Sequence, residues 1–411
     1  MTETNQSTAP TRLLADLFAD LFARFAPIGA LPGGGVTRLA YTRQEDAMHD
    51  VFRGAARELG FRVWEDCAGN SYAANFPENM DGYTLIGSHL DSVIEGGEYD
   101  GVAGVLAGLA VLRALRERKT APPVAVAAFR CEESSNFRLC TVGSGLVTGT
   151  LDEDALRAAV GRDGVPLLDR LREHGYDKDA ARLRGCARYL EVHIEQGRVL
   201  QERGCEIGVV SAIAAPHRYV LTLRGTAEHS GATPMALRRD SLCAAAEIIL
   251  AVERAGRAEA VHDSVATVGA VENHPNVMNA VPGTTTLQID LRGIREDSIA
   301  RMERAMKRDV ETICARRAID WELSVADVKQ PVSLDKGLQQ ALCAAAEAEG
   351  LPHLILPSGA GHDAMSFAGV CPTGMVFIPC RDGISHNIHE HTELSQIANA
   401  VRVLLRILTE A

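Results

Sequence analysis

Residues 83–129 read YTLIGSHLDSVIEGGEYDGVAGVLAGLAVLRALRERKTAPPVAVAAF, two apolar runs on either side of a stretch rich in small residues. Residues 83–87 and 124–129 have the length and apolar character of strands, and the second is apolar enough to lie inside a sheet. Residues 102–118, rich in Ala, Gly and Leu, predict a helix that packs closely on that sheet. The order strand, helix, strand predicts an α/β domain.

The pattern changes from about residue 212 onward. Strands are expected at 218–224, 264–271, 284–292 and 321–328, and helices at 237–255 and 297–317. This is the β-α-β-β-α-β order of a ferredoxin-like fold. We therefore expect a large catalytic α/β domain formed by residues 1–211 and 329–411, with a small lid or dimerisation domain inserted at 212–328. Upstream, Thr42-x-x-Glu45 predicts a capping box that opens a helix.

Composition narrows the class of protein. The 411 residues are 46% hydrophobic and 23% charged, which is typical of soluble globular domains. The 42 basic and 54 acidic residues give a net charge of −12, which disfavours nucleic acid as a partner. Ten cysteines without a C-x-x-C pair favour reduced thiols over a disulfide framework.

The amino-terminal segment predicts a helix rather than a targeting signal. Its Leu and Phe residues recur at helical spacing, and Asp16 and Asp20 occupy the other face, where a secretory or transit peptide would avoid acids. No apolar run approaches the ~20 residues that span a bilayer. We expect a cytoplasmic protein with no membrane partner.

Potential metal ligands follow the apolar runs on separate segments. They are His89 and Asp91, Asp100, Glu132 and Glu133, His193, and His386 with its neighbours His389 and His391. Imidazole and carboxylate groups suit zinc, manganese or cobalt, and an adjacent carboxylate pair can divide into one ligand and one base. Each of these residues also has an ordinary structural explanation. His89 and Asp91 could lie in a surface loop, Asp100 could be the N-cap of a helix, and His193 could be a hydrogen-bonded core histidine. Their combination indicates a hydrolase with two metals, in which any of the three late histidines could bind.

From residue 34 to the last helix, the chain resembles the hydantoinase/carbamoylase group of the M20-type metallopeptidase superfamily. This group includes N-carbamoyl-L-amino acid amidohydrolases, β-ureidopropionases and allantoate amidohydrolases. The motifs that carry the resemblance are Gly87-Ser88-His89-Leu90-Asp91-Ser92, Gly96-Gly97-Glu98-Tyr99-Asp100-Gly101, Glu132-Glu133-Ser134-Ser135, His193-Ile194-Glu195-Gln196-Gly197, His229-Ser230-Gly231-Ala232-Thr233-Pro234-Met235 and Gly359-Ala360-Gly361-His362-Asp363-Ala364.

The resemblance implies a role for each matching residue. Asp100 would bridge two divalent ions (zinc, manganese, cobalt or nickel), with His89 and His193 on one and Glu133 and His386 on the other. Glu132 would be the general base and Asp91 would orient a ligand. His229 would polarise the scissile carbonyl, from the neighbouring subunit of a homodimer formed through the small domain. The substrate-binding residues would be Gln196, His229, Asn279, Arg292 and His362, with Arg292 on the substrate carboxylate.

Two segments depart from the family pattern. The arginine that usually precedes the phenylalanine after the two glutamates is replaced by Asn136, before Phe137. The usual His-Asn-Pro-Ala-Glu becomes His386-Asn387-Ile388-His389-Glu390. Neither change removes a predicted ligand or the base, so they concern substrate choice.

The leading hypothesis is hydrolysis of a ureido C–N bond in a small carboxylated substrate, an N-carbamoyl-L-amino acid or a related ureido acid. Allantoate and N-carbamoyl-β-alanine are close alternatives, followed by an acyl-amino acid or a dipeptide. A metal-binding protein without catalysis, and a hydrolase using Cys131 or Ser144 as its nucleophile, are alternatives of other classes. Gly143-Ser144-Gly145 does not match the G-x-S-x-G nucleophile motif, and Gly33-Gly34-Gly35 is too short for a phosphate loop.

Overall fold

The computed structural model describes residues 8–176 and 183–410, with side chains from Leu17 onward. The described residues of Met1–Ser211 and Leu334–Ala411 form one compact unit, and Ala212–Ser333 form a second. The second unit ends five residues beyond the expected residue 328, because Val332 and Ser333 pair with Ile213 and Ala212 at the start of that unit. Its role as a lid or dimerisation domain stays a prediction.

The helices of the described residues are named in chain order. They are α1 (Thr8–Phe25), α2 (Arg43–Glu58), α3 (Val102–Arg116), α4 (Val142–Thr148), α5 (Glu153–Ala158), α6 (Leu167–Glu173), α7 (Val199–Arg203), α8 (Ser241–Glu259), α9 (Glu296–Arg317), α10 (Lys336–Ala348), α11 (Ala364–Phe367) and α12 (Leu394–Glu410). None of them, within the described ranges, has both the length and the apolar character needed to cross a bilayer.

The strands are named in the same way. They are β1 (Arg62–Glu65), β2 (Ser71–Ala74), β3 (Tyr83–His89), β4 (Val124–Phe129), β5 (Cys186–Ile194), β6 (Ile207–Ile213), β7 (Ala215–Arg224), β8 (Glu228–His229), β9 (Val265–His274), β10 (Ala280–Val281), β11 (Thr284–Gly293), β12 (Asp320–Val328), β13 (Val332–Ser333), β14 (His353–Ser358) and β15 (Thr373–Ile378).

The large sheet has the order β1-β2-β4-β3-β5-β15-β6-β13, and β14 pairs with β6. Its centre is parallel, since β3 pairs in parallel with β4 and β5, and β15 pairs in parallel with β5. Every residue of β3, β4 and β15 is buried, as expected for strands covered on both faces. Helix α3 packs so closely on this sheet that a β-carbon added at Gly104 would lie only 2.1 Å from the Val192 carbonyl oxygen.

The second unit is an antiparallel sheet in the order β12-β7-β11-β9, with α8 and α9 packed on it. Numbered within the unit, this order is 4-1-3-2, the ferredoxin-like arrangement of a β-α-β-β-α-β chain. The predicted stripe of α9 is buried, namely Ile299, Met302, Met306, Val310 and Ile313. The fold class is therefore confirmed: a large α/β fold together with an inserted ferredoxin-like unit.

The predicted capping box at the start of α2 is wrong in its bonding. Thr42 is the N-cap residue, but its hydroxyl donates to the Leu39 carbonyl oxygen and makes no cap hydrogen bond. The Glu45 carboxylate accepts from the backbone N–H of Tyr41 instead, and it is fully buried. Glu45 is drawn inward because its partners lie on other segments of the chain.

Candidate metal centre

The carboxyl ends of four parallel strands bring the predicted ligands together. His89 is the last residue of β3 and pairs in register with Phe129, the last residue of β4, three positions before Glu132. His193 lies next to the end of β5 and pairs with Phe377 of β15. Parallel strands end at a common edge, so segments distant in the sequence meet there, as at the ligand sites of open α/β sheets.

The Asp100 carboxylate lies between three imidazoles. Its Oδ1 is 3.3 Å from His89 Nε2 and 3.0 Å from His193 Nε2, and its Oδ2 is 3.5 Å from His386 Nε2. Among the described residues, Oδ1 has no hydrogen-bond partner although it is buried. Asp100 is not the N-cap of α3, since Gly101 occupies that position with a φ of 66°.

Three sets of nitrogen and oxygen ligand atoms each lie within 4.8 Å of one another. They are His89 with Asp100 and His193, His89 with Glu132 and Glu133, and Asp100 with Glu133 and His386. Glu133 Oε1 is 3.1 Å from His386 Nε2. A buried carboxylate oxygen without a partner is costly unless a cation or proton compensates it, so this donor set fits divalent metal ions. No such set in the described chain includes His389 or His391.

Hydrogen bonds fix the ring orientation of the two buried histidines. His89 Nδ1 is 3.1 Å from the Asp91 carbonyl oxygen, and His193 Nδ1 is 2.9 Å from the Ile194 carbonyl oxygen. A carbonyl oxygen only accepts, so each ring carries a proton on Nδ1 and directs its Nε2 at Asp100. Both side chains are therefore oriented as ligands.

Asp91 holds the segment that carries the two glutamates. Its Oδ1 accepts from the Glu132 backbone N–H at 3.1 Å, and its Oδ2 accepts from the Glu133 backbone N–H at 3.0 Å. Asp91 Oδ1 is also 3.5 Å from His89 Nδ1. Asp91 thus connects His89 to Glu132 and Glu133. The family resemblance implied only that Asp91 orients a ligand.

Electrostatics separate the roles of the carboxylates. Burial raises the pKa of Glu132 well above its usual value, His89 opposes this, and Glu133 and Asp363 raise it further. Burial would also raise the pKa of Asp100, but the imidazoles of His193, His386 and His89 lower it well below its usual range. Glu132 Oε2 lies 3.9 Å from His89 Nε2. Glu132 therefore has a higher proton affinity than Asp100, which suits a base.

Gln196 and two residues that the sequence analysis missed surround Asp100. Gln196 Nε2 donates to Asp100 Oδ2 at 2.7 Å, and the Ser385 hydroxyl donates to the same oxygen at 2.9 Å. Glu390 Oε1 accepts from the Asp100 backbone N–H at 2.9 Å, and its Oε2 lies 2.9 Å from the Ser385 oxygen, whose single proton is shared between Asp100 and Glu390. The signal available for Glu390 was the glutamate retained in the otherwise altered His-Asn-x-x-Glu segment.

His362 packs against a predicted ligand. Its ring centroid is 4.5 Å from that of His193, with the planes at 63°, and its Nε2 is 2.8 Å from the Ser358 hydroxyl. Burial lowers the pKa of His362 well below its usual value, and the charge of His193 lowers it further. The ring is therefore neutral and lies beside the ligand cluster.

The second unit brings His229 and Asn279 together. Strand β8 pairs with β10, so His229 faces Ala280, and the Ser230 N–H donates to the Asn279 carbonyl oxygen at 3.0 Å. His229 Nδ1 accepts from the backbone N–H groups of Gly231 at 3.1 Å and Ala232 at 3.2 Å. Nδ1 is therefore the acceptor, and the ring presents an N–H at Nε2.

Arg292 lies near the carboxyl end of β11, whereas Thr284 begins that strand. Its Nη2 contacts Asp290 Oδ2 at 3.0 Å, and its Nε contacts Asp290 Oδ1 at 3.0 Å. Within the second unit, Arg292 pairs with Pro216 at the start of β7, whereas Thr284 at the start of β11 pairs with Arg224 at the end of β7. His229 and Asn279 belong to the Thr284 end.

The two alternative nucleophiles are buried. Cys131 has no exposed surface, and burial raises the pKa of its thiol well above the usual value, which suppresses the thiolate. Ser144 is also fully buried, and its hydroxyl bonds to the Thr141 carbonyl oxygen and the Ser366 hydroxyl. Neither group has the access that a nucleophile needs.

A buried cluster of imidazoles and carboxylates at the carboxyl edge of a parallel sheet is the arrangement of a metallohydrolase. The model of Peptidase family M20/M25/M40 matches residues 85–410. An N-carbamoyl-L-amino acid amidohydrolase of Geobacillus stearothermophilus is 38% identical over 385 residues, covering 92% of this chain and 93% of that protein. An allantoate amidohydrolase of Escherichia coli is 36% identical and covers 92% of this chain and 94% of that protein.

Solved structures agree with these sequence matches. An amidase of the hydantoinase/carbamoylase family from Burkholderia multivorans superposes with a TM-score of 0.90 at 35% identity, covering 97% of both chains. The chain belongs to Peptidase family M20/M25/M40 and, within it, to the hydantoinase/carbamoylase amidases. This confirms the predicted resemblance. It is a hydrolase of non-peptide C–N bonds, and its family implies divalent metal binding.

Proposed function

We propose that this chain hydrolyses the ureido C–N bond of an N-carbamoyl-L-amino acid or a related ureido acid, with Glu132 as the general base for the attacking water. The observation that carries the proposal is the Asp100 carboxylate, whose two oxygens face different imidazoles while Glu132 lies beside them with a raised pKa. Such a cluster separates the ligands from the base.

His89 and His193 would hold one divalent ion and Glu133 and His386 the other, with Asp100 bridging them. Such ions lower the pKa of a water and polarise a carbonyl oxygen. Glu132 accepts the proton of the attacking water and delivers it to the leaving nitrogen. For an N-carbamoyl substrate, one water releases the amino acid and carbamic acid, which then decomposes to carbon dioxide and ammonia.

His229 is proposed to donate a hydrogen bond from Nε2 to the oxygen that becomes negative during attack. The two backbone N–H groups at Nδ1 support this role, since they keep the donor proton on Nε2. Asn279, adjacent to His229 through β8 and β10, is proposed to hold the same part of the substrate.

Arg292 is proposed to bind the substrate carboxylate through its guanidinium fork, with Gln196 and His362 contacting the substrate near the metals. In the free chain the guanidinium is bound to Asp290, so the substrate carboxylate would share or replace that partner. Because Asp290 competes for the fork, removing it should strengthen rather than weaken carboxylate binding.

His229 and Asn279 are proposed to act in the metal site of a second copy of the chain. Arg292 is eight residues along β11 from Thr284, about 26 Å at the usual strand rise, whereas His229 and Asn279 belong to the Thr284 end. A small substrate is much shorter than this distance, so it cannot contact Arg292 together with His229 and Asn279 of the same second unit. Exposed apolar side chains near His229 and Asn279, namely Met235, Leu237 and Met278, support a docked partner there.

Allantoate is the second candidate substrate. The observation that favours it is the near-equal identity to the allantoate amidohydrolase of Escherichia coli, 36%, and to the carbamoylase of Geobacillus stearothermophilus, 38%. Both substrates carry a carboxylate and a ureido group, so the same base and carbonyl-polarising histidine would serve either.

The test is ammonia release from N-carbamoyl-L-amino acids, N-carbamoyl-β-alanine, allantoate and N-acetyl-L-amino acids, with protein loaded with Zn²⁺, Mn²⁺, Co²⁺ or Ni²⁺. We expect ureido acids to be the best substrates, and we expect EDTA to abolish turnover until metal is restored. In the same assay, Glu132→Gln should bind metal normally but lose about 10²–10⁴-fold in kcat. Full activity after chelation, or from Glu132→Gln, would contradict the proposal.

A further inference from the structure

The residue before Glu132 adopts an unusual backbone conformation. Cys131 has a φ of 55°, in the left-handed region that residues with a β-carbon rarely adopt. It lies between the end of β4 and the two glutamates, so this conformation turns the chain away from the strand direction at the site. A strained residue here persists only if its surroundings hold it.

Glu45 of α2 holds this residue from a distance of 86 positions in the sequence. Its Oε1 accepts from the Cys131 backbone N–H at 3.1 Å. Its Oε2 accepts from Arg130 Nη1 at 2.8 Å and from the Tyr41 backbone N–H at 2.6 Å. Both carboxylate oxygens are therefore engaged, Oε1 by Cys131 and Oε2 by Arg130 and Tyr41.

Arg130 is tied to the rest of the fold by further bonds. Its Nε donates to the Gly69 carbonyl oxygen at 2.7 Å, and its backbone N–H donates to Asn70 Oδ1 at 2.9 Å. The side chains of Arg130 and Glu45 are 1% and 0% exposed. A buried ion pair is no general source of stability, since desolvation offsets its attraction, but it specifies one arrangement of the groups it joins.

We propose that Glu45, paired with Arg130, is a positioning residue that keeps Cys131 in its left-handed conformation and so directs the Glu132 carboxylate at the attacking water. The inference rests on the proposed role of Glu132 as the general base. Burial raises the pKa of Glu45 to about 7, and the charge of Arg130 opposes that rise. Hydrogen bonds from Tyr41, Cys131 and Arg130 therefore offset part of the cost of burying the carboxylate.

The segment has further anchors that do not involve Glu45: the backbone N–H groups of Thr141, Val142 and Gly143 donate to the carbonyl oxygens of Glu132, Cys131 and Arg130. Asp91 accepts from the backbone N–H groups of Glu132 and Glu133, and neither bond involves Glu45. Because Glu132 directly follows Cys131 and Glu133 is one residue farther, loss of Glu45 should loosen the direction of Glu132 while Asp91 keeps the proposed ligand Glu133 in place. The expected signature is a loss in kcat with metal binding and KM retained.

The experiment compares Glu45→Ala with Asp46→Ala. Asp46 also accepts from Arg130 Nη1 at 2.8 Å, but it is 35% exposed and does not bond to Cys131. We expect Glu45→Ala to lose about 10–100-fold in kcat, as small misplacements of catalytic groups do, with KM within about threefold and bound Mn²⁺ unchanged. Asp46→Ala should stay within about twofold of the wild type. Equal kcat for folded Glu45→Ala and the wild type would overturn the inference.

A rescue distinguishes positioning from a general loss of structure. Gly adopts the left-handed conformation without a steric cost and adds no polar group to this buried position, so Cys131→Gly added to Glu45→Ala should recover several-fold in kcat. No recovery would overturn the inference. Should Glu45→Ala fail to fold, Glu45→Gln, which keeps one acceptor oxygen, is measured with the same rescue.

A double variant separates this inference from the function on which it rests. If Glu45 acts through Glu132, adding Glu45→Ala to Glu132→Gln should not reduce the residual kcat further. Independent, multiplying losses would overturn the inference. Full turnover by Glu132→Gln would refute the proposed base, whereas an inactive Glu132→Gln beside a fully active Glu45→Ala would refute only the positioning role.

Discussion

Single residues at the site have partners that come from several distant segments. Asp91 was predicted to orient His89, and it also bonds to the backbone of Glu132 and Glu133. Ser385 and Glu390 hold Asp100 through its side chain and its backbone. One substitution at Asp91 therefore affects two proposed ligands, His89 and Glu133, and the proposed base Glu132 together, so such an effect alone does not identify the role lost.

Gly104 of α3 offers a test of packing next to a ligand. An added β-carbon would lie 2.1 Å from the Val192 carbonyl oxygen, one residue before His193, and a backbone atom cannot turn aside. We expect Gly104→Ala to lower the free energy of unfolding by about 1–3 kcal/mol, through overpacking. Metal affinity should fall with it, because α3 must move away from β5. Urea unfolding and metal titration measure both.

Gly54 of α2 is the matched control. The nearest atom to an added β-carbon is Arg24 Nη2 at 3.8 Å, an ordinary contact. Gly54→Ala should therefore raise the free energy of unfolding by about 0.5–1 kcal/mol, since Ala favours the helix. Unfolding curves that place both variants on the same side of the wild type would contradict the packing argument.

At the level of elements, the parallel centre of the large sheet gathers the ligands, and paired helices support the second unit. Near the ends of α8 and α9, Arg301 Nη2 and Nε donate to Glu259 Oε2 at 2.7 Å and Oε1 at 2.8 Å. The Ser298 hydroxyl donates to Glu259 as well, at 2.8 Å. This connection joins two helices that are adjacent on the sheet but separated in sequence.

The Glu259 connection should be sensitive to acid. Hydrogen bonds from Arg301, then from Ser298, lower the pKa of Glu259 to about 2 from 4.5. The folded state thus binds fewer protons than the unfolded state in this range, so the stabilisation is complete above pH 4.5 and is lost as the pH falls through about 2. Glu259→Gln should unfold at lower urea than the wild type at pH 6, and the difference should narrow towards pH 3.

The control for this comparison is Glu253→Gln on the same helix. Glu253 pairs with Arg257 one turn away at 2.6 Å, with side chains 51% and 77% exposed, and joins no second helix. Its urea midpoint should stay close to that of the wild type at both pH values. A Glu259→Gln difference that stays constant with pH would show that the carboxylate's charge is not the stabilising feature.

For the whole molecule, the proposal that His229 acts in a second copy predicts complementation. His229→Ala and Glu132→Gln should each be nearly inactive. Unfolded and refolded together in equal amounts, they should form mixed dimers in which one of the two sites has both Glu132 and His229. Half the dimers would be mixed, so about a quarter of the wild-type activity should return. No recovery, with mixed dimers present, would place His229 in its own chain's site.

The fold class followed from patterns that a chain carries locally. Uninterrupted apolar runs mark buried parallel strands such as β4, and the apolar stripe of α9 marks a helix with one buried face. The order of these elements predicted both the α/β and the ferredoxin-like parts. The motifs also singled out His89, His193, Glu133 and His386, side chains that the fold brings close to Asp100 or to one another.

Features that depend on partners distant in the sequence were not predictable in this way. Local pattern assigned Glu45 to a capping box, but its bonds go to Arg130 and Cys131, more than eighty residues away. Chemistry alone left His386, His389 and His391 equivalent, and only His386 reaches the ligand cluster in the described chain.

Residue identity and order along this chain settled its elements, its family and the chemical groups available for catalysis, because those follow from local periodicity and from the spacing of residue types within motifs. Folding settled which groups meet. It brings imidazoles to both oxygens of Asp100, it joins the turn before Glu132 to Glu45 of α2, and it places the backbone N–H of Gly231 against Nδ1 of His229. The physical reason is that hydrogen bonds and charge pairs act over a few ångströms, and only the packed chain brings distant residues within that range.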